Sequence, residues 1–376
     1  MKNRQLFPLG KAYGDAFCNR TDETKKLLGN IRNAKHTLII APRRYGKSSL
    51  AERAIALSEL PSIKINLHLC TSEEEVSTLV LDSVNCLMGK AISHAEKLMS
   101  TIKKYISNLE PIISFGGEKA SLKLIPKNHT NHAVIISESL LLLEKLLEEK
   151  NKKAVIFLDE FQEIDKISKE SAIEGAFRTA AQEMQSLAIV FSGSVRSLLL
   201  SMFEDENRPL YKLCRKIKLE RIDAQHYEEH IQKIAKNTWG DMLSIDVFQA
   251  IMHFSNRHPY YVNYLCDIVW ENNATVPSVE SVEAAWHTVV KEEWSDALRE
   301  LSELPIGQRR LLKHIANHET KNMQSHDTSQ SLSMPPSSIS TALTVLVEKD
   351  YIEKNDGGFY EIINPLLFAV LCGAVD

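Results

Sequence analysis

The chain has 376 residues, more than one hydrophobic core usually organises, so two or three domains are expected. Apolar residues make up 44% and charged residues 25%, a composition typical of globular proteins rather than disordered, collagen-like or membrane-spanning ones. The formal net charge of -4 does not call for a nucleic-acid partner.

The first ten residues and the cysteines bear on the cellular compartment. The opening MKNRQLFPLG lacks the apolar stretch of a signal peptide, and the later apolar runs are too short to cross a bilayer. The six cysteines lack the spacing of a disulfide framework or a zinc site. We therefore expect a cytoplasmic protein without membrane association.

The first half of the chain alternates predicted strands and helices. Buried strands are predicted at 36–40, 62–69, 154–159 and 187–192. Helices are predicted from Lys47 and over 140–150 and 172–185. This alternation predicts a parallel sheet covered on both faces. A helical insertion over 72–109 and a β-hairpin around Gly116-Gly117 are expected between the second and third strands.

The second half of the chain has a different order of predicted secondary-structure elements. Only helical patterns occur from residue 223 to about 299, which predicts a separate helical unit. Amphipathic helices are then predicted over 304–317 and 337–349, with two short strands within 351–363 around Asp356-Gly357-Gly358. Helices followed by a hairpin are the pattern of a winged helix-turn-helix.

The loop after the first strand carries a phosphate-binding motif. Ala41-Pro42-Arg43-Arg44-Tyr45-Gly46-Lys47-Ser48-Ser49 matches GxxxxGK[ST], except that Ala41 replaces the first glycine. Such loops bind phosphates with backbone N–H groups and the N-terminus of the next helix. Lys47 is expected to reach the β- and γ-phosphates, and Ser48 to ligate Mg²⁺. A GKS triplet alone occurs by chance in roughly one chain in five to ten of this length, but here it follows a buried strand and opens a helix.

A second buried strand ends in two acids, Asp159-Glu160. Its last residues should emerge at the carboxyl edge of the sheet, where open α/β sheets bind ligands. Asp159 is expected to hold Mg²⁺ through water, and Glu160 to orient and polarise the attacking water. Any buried strand can end in acids, but the loop upstream makes a hydrolytic site the favoured interpretation.

A third buried strand ends in hydroxyls. Ser194, and after it Ser192, are the candidates to touch the γ-phosphate or the attacking water. A helix cap for the residues from Val195 onward is an equal alternative for Ser194.

These motifs resemble those of the archaeal-type P-loop ATPases, an MNS-like clade in the STAND branch of the AAA+ superfamily. Besides the phosphate loop and Asp-Glu-Phe-Gln, the resemblance is carried by Phe17-Cys18-Asn19-Arg20-Thr21-Asp22-Glu23, Gly193-Ser194, Pro209-Leu210-Tyr211, His258-Pro259-Tyr260-Tyr261 and Asn364-Pro365-Leu366-Leu367-Phe368. The resemblance implies an ATPase that binds ATP or ADP with Mg²⁺.

The expected fold class is α/β, a P-loop NTPase parallel sheet with a helical lid and a winged helix-turn-helix domain. The expected domains are a P-loop ATPase domain over 1–222 with an insertion over 70–130, a lid over 223–300 and a winged helix over 301–376.

The resemblance also implies roles for two residues and draws attention to two departures. Arg20 is expected near the adenine, and Pro259 is expected to pack on the nucleotide. Ala41 replaces a glycine that permits positive φ, at an expected cost of about 1 kcal/mol. The arginine that commonly follows Pro-Leu-Tyr is absent, since residue 213 is leucine. Arg215 is the nearest candidate for an arginine finger acting on a neighbouring subunit, with a solvated charge as the alternative.

The charge of the last segment bears on the partner. Residues 301–376 hold six basic and nine acidic residues, a formal net charge of -3, and residues 337–347 of the predicted recognition helix contain no Lys or Arg. Phosphate contacts need such charges, so a protein-contact or autoinhibitory role is at least as well supported as DNA binding.

Three functions are compatible with these features. The first is an ATP-hydrolysing switch whose nucleotide state controls domain arrangement, homo-oligomerisation and binding of a protein partner. The second is a DNA-acting ATPase that loads on duplex DNA. It is suggested by two groups of basic residues: Lys35, Arg43, Arg44 and Arg53, and Arg215, Lys216 and Lys218. The third is a scaffold that binds ATP with negligible turnover, against which Glu160 argues.

Overall fold

The computed structural model describes residues 6–91, 102, 104–116, 119–355 and 357–373. The described residues form two compact units. The sheet unit comprises Arg20–Arg43 and Lys47–Leu219. The helical unit comprises the residues before Arg20, the short stretch Arg44–Gly46 and the residues from Glu220 onward. The domain boundaries predicted at residues 222 and 300 remain predictions.

The sheet unit is built on strands that form one parallel sheet and one hairpin. In chain order they are β1 (Thr37–Ile40), β2 (Ser62–Asn66), β3 (Leu109–Gly116), β4 (Lys119–Pro126), β5 (Ala154–Asp159), β6 (Leu187–Ser192) and β7 (Arg215–Lys218). The parallel sheet has the order β2-β5-β6-β1-β7. This confirms the α/β class.

The three central strands explain why the sheet is covered on both sides. Every residue of β1, β5 and β6 is buried. Successive side chains of a strand point to opposite faces, so a strand buried throughout needs cover on each face. Both predicted bounds of β5 and β6 are confirmed.

Helices supply that cover. They are α1 (Thr21–Arg32), α2 (Lys47–Ser58), α3 (Glu73–Ala91), α4 (His132–Glu149), α5 (Ile164–Ile167), α6 (Ala172–Gln182) and α7 (Arg196–Glu204). Helix α1 packs on α2, and α4 packs on both α3 and α6.

The helical insertion predicted over 72–109 is only partly correct. Helix α3 is described over Glu73–Ala91, and residues 92–101 and 103 lie outside the described part. Leu109 opens β3 instead of closing a helix, and it pairs with Pro126 of β4. The helical hydrogen bonding has ended before this point, because the N–H groups of Ser107 and Asn108 donate to the Glu138 carboxylate, at 3.3 and 2.9 Å. The hairpin itself is confirmed by the antiparallel pairing of β3 with β4, although Gly117 of its predicted turn lies outside the described residues.

The helical unit contains the remaining elements. They are α8 (Ala224–Trp239), α9 (Ile245–Ser255), α10 (Pro259–Asn272), α11 (Val279–Ser302), α12 (Ile306–Asn317), α13 (His326–Leu332), α14 (Pro336–Glu348), β8 (Ile352–Lys354), β9 (Tyr360–Ile362) and α15 (Pro365–Leu371). The element order predicted for a winged helix is present in α12 to β9, although Asp356 lies outside the described residues. Helix α15 was not predicted; it opens with proline and is capped by Asn364, whose side chain accepts from the Leu366 N–H.

The start of the chain packs within the helical unit. Phe7 is fully buried, with its ring centroid 4.8 Å from that of Trp270. Asn263 donates to the Pro8 carbonyl at 2.9 Å. This grouping differs from the predicted domain 1–222, which includes these residues by sequence order. Among the described residues, no helix is long and apolar enough to span a bilayer.

Candidate functional site

The site lies at the carboxyl edge of the sheet. Strands β1, β5 and β6 are adjacent and parallel, with Ile39 opposite Ser192 and Leu158 opposite Phe191. The segments that follow these strands therefore emerge side by side at the edge where open α/β sheets bind ligands.

The phosphate loop after β1 has two residues with left-handed backbone, Arg44 with φ 65° and Gly46 with φ 86°. Ala41 is not among the residues with positive φ. The prediction of backbone strain at this position was therefore wrong. The loop turns farther along, and an alanine therefore fits the first motif position without a backbone cost. Helix α2 begins at Lys47, as predicted.

Lys47 is buried and held by the loop itself. Its Nζ donates to the carbonyls of Ala41 at 3.0 Å and Pro42 at 2.9 Å. The ammonium thus lies inside the loop whose backbone would surround a phosphate. Ser49 is buried in the first turn of α2, whereas Arg43 is exposed.

Asp159 collects three donors. Ser192 Oγ donates to Oδ1 at 2.5 Å, and Ser48 Oγ donates to Oδ2 at 3.2 Å. Lys64 Nζ lies 2.6 Å from the same Oδ2. Burial raises the pKa of the Asp159 carboxyl, but the hydrogen bonds from Lys64 and Ser192 outweigh burial and hold that pKa below its ordinary value. Asp159 is therefore a carboxylate.

Ser48 and Asp159 fit a magnesium ion bound together with phosphates. Hydroxyl and carboxylate oxygens are the ligands Mg²⁺ prefers, and it is usually held by one or two carboxylates plus substrate phosphates. Within the described ranges, no group of three or more His, Cys, Asp or Glu side chains could hold a metal alone. The donor set fits a metal that arrives with a nucleotide.

Glu160 is anchored through one oxygen. Its Oε2 accepts from the Ser194 N–H at 3.0 Å, from Ser194 Oγ at 2.7 Å and from Gln162 Nε2 at 2.7 Å. The cap of α7 is Val195, without a side-chain hydrogen bond, so the capping alternative for Ser194 is not what the structure shows. The hydroxyls of Ser192 and Ser194 each bind one of the two acids.

Arg44 makes its contacts in the helical unit. Its Cζ lies 4.1 Å from the ring centroid of Tyr260, and its Nη1 lies 3.6 Å from Oε2 of Glu293. Glu293 also accepts from the hydroxyls of Tyr260 at 2.8 Å and Tyr261 at 3.3 Å. A cation over an aromatic face beside a carboxylate is an attractive arrangement.

Tyr45 is buried beside His258, with ring centroids 4.9 Å apart in an edge-on arrangement. Burial, together with the positive charges of Arg221 and Arg44, lowers the pKa of His258 to about 3. The imidazole is therefore neutral at physiological pH. Pro259 follows at the first position of α10, and its packing on a nucleotide remains a prediction.

Two predicted site residues lie elsewhere in the sheet unit. Arg20 is buried just before α1 and donates from Nη1 to Glu23 Oε1 at 3.0 Å. Arg215 is exposed and opens β7 opposite Thr37, the first residue of β1. That is the amino edge of the sheet, so Arg215 cannot serve the site of its own chain. A role for it on a neighbouring subunit, like the role of Arg20 near adenine, remains a prediction.

No protein-family model matches the chain, and a comparison with curated proteins finds no relative. Solved structures do match. The Walker-type ATPase of Pyrococcus abyssi shares 20% identity with a TM-score of 0.69, covering 98% of this chain and 99% of that one. The ORC2 protein of Aeropyrum pernix, in its ADPNP–ADP complexes, shares 13% identity with a TM-score of 0.59, covering 99% and 97%. At such identities the likeness, which extends over almost the whole chain, shows the fold alone, and the parallel sheet with its helices is that of a P-loop NTPase.

Proposed function

We propose that this protein binds ATP together with Mg²⁺ and hydrolyses it. The observation that carries the proposal is the convergence of Ser48, Asp159 and Glu160 at one sheet edge beside the phosphate loop. A protein that only bound nucleotide would not need Glu160, whose carboxylate is held by three hydrogen bonds.

Each of these residues has a role that its chemistry supports. Lys47 would release the carbonyls of Ala41 and Pro42 and bind phosphate oxygens, where its charge offsets that of the triphosphate. Ser48 and Asp159 would hold Mg²⁺, which when bound neutralises charge that develops on the phosphates. Glu160 would accept a hydrogen bond from the attacking water and orient it.

We further propose that bound nucleotide acts as a switch on the helical unit. The support is that Arg44–Gly46 of the phosphate loop group with that unit, where Arg44 binds Tyr260 and Glu293. A nucleotide that reshapes the loop would alter these contacts, because the loop is a single stretch of chain. Changes in domain arrangement, self-association and binding of a protein partner are the proposed consequences.

Loading on duplex DNA is the alternative function. Basic residues next to the phosphate loop, such as Arg43 and Arg53, offer it limited support. Helix α14, in the position of a recognition helix, contains no Lys or Arg over Pro336–Val347. Since phosphate contacts dominate DNA affinity, a protein partner is favoured.

The test is ATP hydrolysis by the purified protein, Lys47→Ala and Glu160→Gln, with and without duplex DNA, while mass in solution is followed. We expect both variants to lose at least about a hundredfold in turnover. Lys47→Ala should also lose ATP affinity, whereas Glu160→Gln should retain ATP. Turnover independent of both residues would contradict the assignment of the site.

The same measurement separates the two functions. A mass that changes with ATP while DNA leaves turnover unchanged supports the switch. Turnover raised by DNA, or DNA binding that requires ATP, would favour the loading function instead.

A further inference from the structure

We propose that Gln162 is a positioning residue for Glu160, and that residue 193 is glycine because the Gln162 side chain occupies the space a side chain would need. The inference rests on the proposed hydrolysis. It assigns Gln162 a role that is exerted through Glu160.

The hydrogen bonds of Glu160 are divided unequally between its two oxygens. Gln162 Nε2 and both donors of Ser194 converge on Oε2, at 2.7, 3.0 and 2.7 Å. In the part of the chain that the structure describes, Oε1 accepts none. A carboxylate fixed through one oxygen in this way keeps the other directed at one place, as a group that orients water requires.

The backbone at Glu160 also points to a constraint. Its φ is 55°, in the left-handed region that residues with a side chain seldom adopt. Such a conformation persists only where surrounding contacts enforce it. Gln162 and Ser194 are the contacts that hold this side chain.

The buried amide of Gln162 lowers the stability of the fold. The side chain is fully buried, and its Oε1 accepts no hydrogen bond among the described residues. A buried amide oxygen without a donor lowers stability. An apolar side chain would pack there without that penalty, so the amide is better explained by what its Nε2 donates to than by packing.

Gly193 shows how closely the amide is confined. A Cβ at this position would lie 1.7 Å from Gln162 Oε1 and 2.9 Å from its Cδ. Gly193 is not among the positive-φ glycines, so backbone conformation does not demand glycine here. The demand comes from space, which links the Asp-Glu-Phe-Gln segment to the Gly-Ser segment that follows β6.

The experiment uses Gln162→Met, which keeps the volume and removes the donor. We expect kcat to fall about tenfold or more, while the dissociation constant for a non-hydrolysable ATP analogue with Mg²⁺ stays within about twofold. The unfolding midpoint of the nucleotide-free variant should stay equal or rise, because the unpaired amide oxygen is gone. A purely structural role for Gln162 predicts the reverse pattern, a lower midpoint and unchanged kcat.

A second set of variants tests Gly193. Gly193→Ala should lower both the unfolding midpoint and kcat, because its methyl group displaces the amide. In a Gln162→Ala background the same change should have a much smaller effect on both, since Leu199 Cδ1, 3.0 Å from the added Cβ, is then the remaining close neighbour. Equal effects of Gly193→Ala in both backgrounds would overturn the link between the two residues.

The outcomes also separate this inference from the proposed function. Turnover that requires Glu160 but is unchanged in Gln162→Met overturns the positioning role alone. Absence of turnover in the parent protein overturns the proposed function and the positioning role together, and the stability measurements then report only the packing of Gln162 against Gly193.

Discussion

Lys64 shares the carboxylate that is proposed to hold Mg²⁺. Its Nζ lies 2.6 Å from Asp159 Oδ2, the oxygen that also accepts from Ser48, and 3.6 Å from Glu52 Oε1. The Lys64 side chain is 30% exposed, so its flexible stem has room to swing away from the site. The ammonium therefore competes with a divalent cation for one oxygen.

Replacing Lys64 should change the demand for magnesium. We expect Lys64→Met to lower the Mg²⁺ concentration for half-maximal nucleotide binding and turnover about fivefold, since a partly exposed ion pair contributes about 1 kcal/mol. Magnesium titrations of a fluorescent ADP analogue and of turnover measure this. Lys64→Arg keeps the positive charge and is the control, expected to resemble the parent. An unchanged or increased requirement in Lys64→Met would show that the two cations do not compete.

At the scale of elements, the start of β6 is set by two buried polar side chains. Glu144 on α4 accepts from the N–H groups of Gln185 at 2.8 Å, Ser186 at 2.9 Å and Leu187 at 2.8 Å. His36 accepts from the Ile189 N–H at 3.2 Å through Nδ1, which leaves Nε2 to donate to the Ala181 carbonyl at 3.0 Å. Burial lowers the pKa of His36, which keeps this imidazole neutral. These bonds set where β6 begins, and hence where Ser192 ends it.

Removing the Glu144 carboxylate should destabilise the sheet unit. Glu144→Leu leaves three N–H groups without their acceptor, that of buried Leu187 and those of Gln185 and Ser186 before it, and we expect the free energy of unfolding to fall by about 3 kcal/mol. Urea unfolding followed by circular dichroism gives the value. Glu148→Leu, four residues on along α4 at an exposed position paired with Lys145, is the control, with an expected change within about 1 kcal/mol. Equal losses in both variants would contradict the assigned role of Glu144.

The elements best predicted from sequence are those whose pattern is complete within a short segment. Strands β5 and β6 are apolar almost throughout, so both ends could be located. Strand β7 was not predicted, because three of its four residues are charged and exposed, and only Ile217 is buried. An edge strand needs few apolar residues. The pairing of β7 with β1 joins segments far apart in the sequence, so no local residue pattern indicates it.

The same distinction holds within the site. The phosphate loop and Asp159-Glu160 were predictable because each is a contiguous motif tied to a strand end. Lys64 was not, since its contact with Asp159 depends on the register that sets it opposite Phe157 on the neighbouring strand. Gln162 belongs to the Asp-Glu-Phe-Gln motif, but the sequence predicted no role for it. Its side chain lies next to Gly193, which is distant in sequence, and this proximity is visible only in the structure.

At the scale of the whole molecule, the phosphate loop is shared between the two compact units. Arg43 and Lys47 group with the sheet unit, whereas Arg44–Gly46 group with the helical unit. There Arg44 is paired with Glu293 on α11 and stacked on Tyr260 of α10. A nucleotide that changes the conformation of the loop has to break these contacts of Arg44. Weakening the contacts should therefore lower the nucleotide concentration needed for the conformational change.

Glu293→Gln tests this coupling because it removes the charge that faces Arg44 and keeps the shape. The Arg44 side chain is 47% exposed and the pair is 3.6 Å apart, so its contribution is well under 1 kcal/mol and the expected effect is about threefold. The ATP concentration needed for half of the change in mass or protease sensitivity should fall by that factor. Glu292→Gln is the matched control, since Glu292 is its neighbour on α11 and accepts instead from the Tyr264 hydroxyl at 2.5 Å. If the two variants respond alike, Arg44 does not couple the loop to α11, and a switch would have to act through other residues.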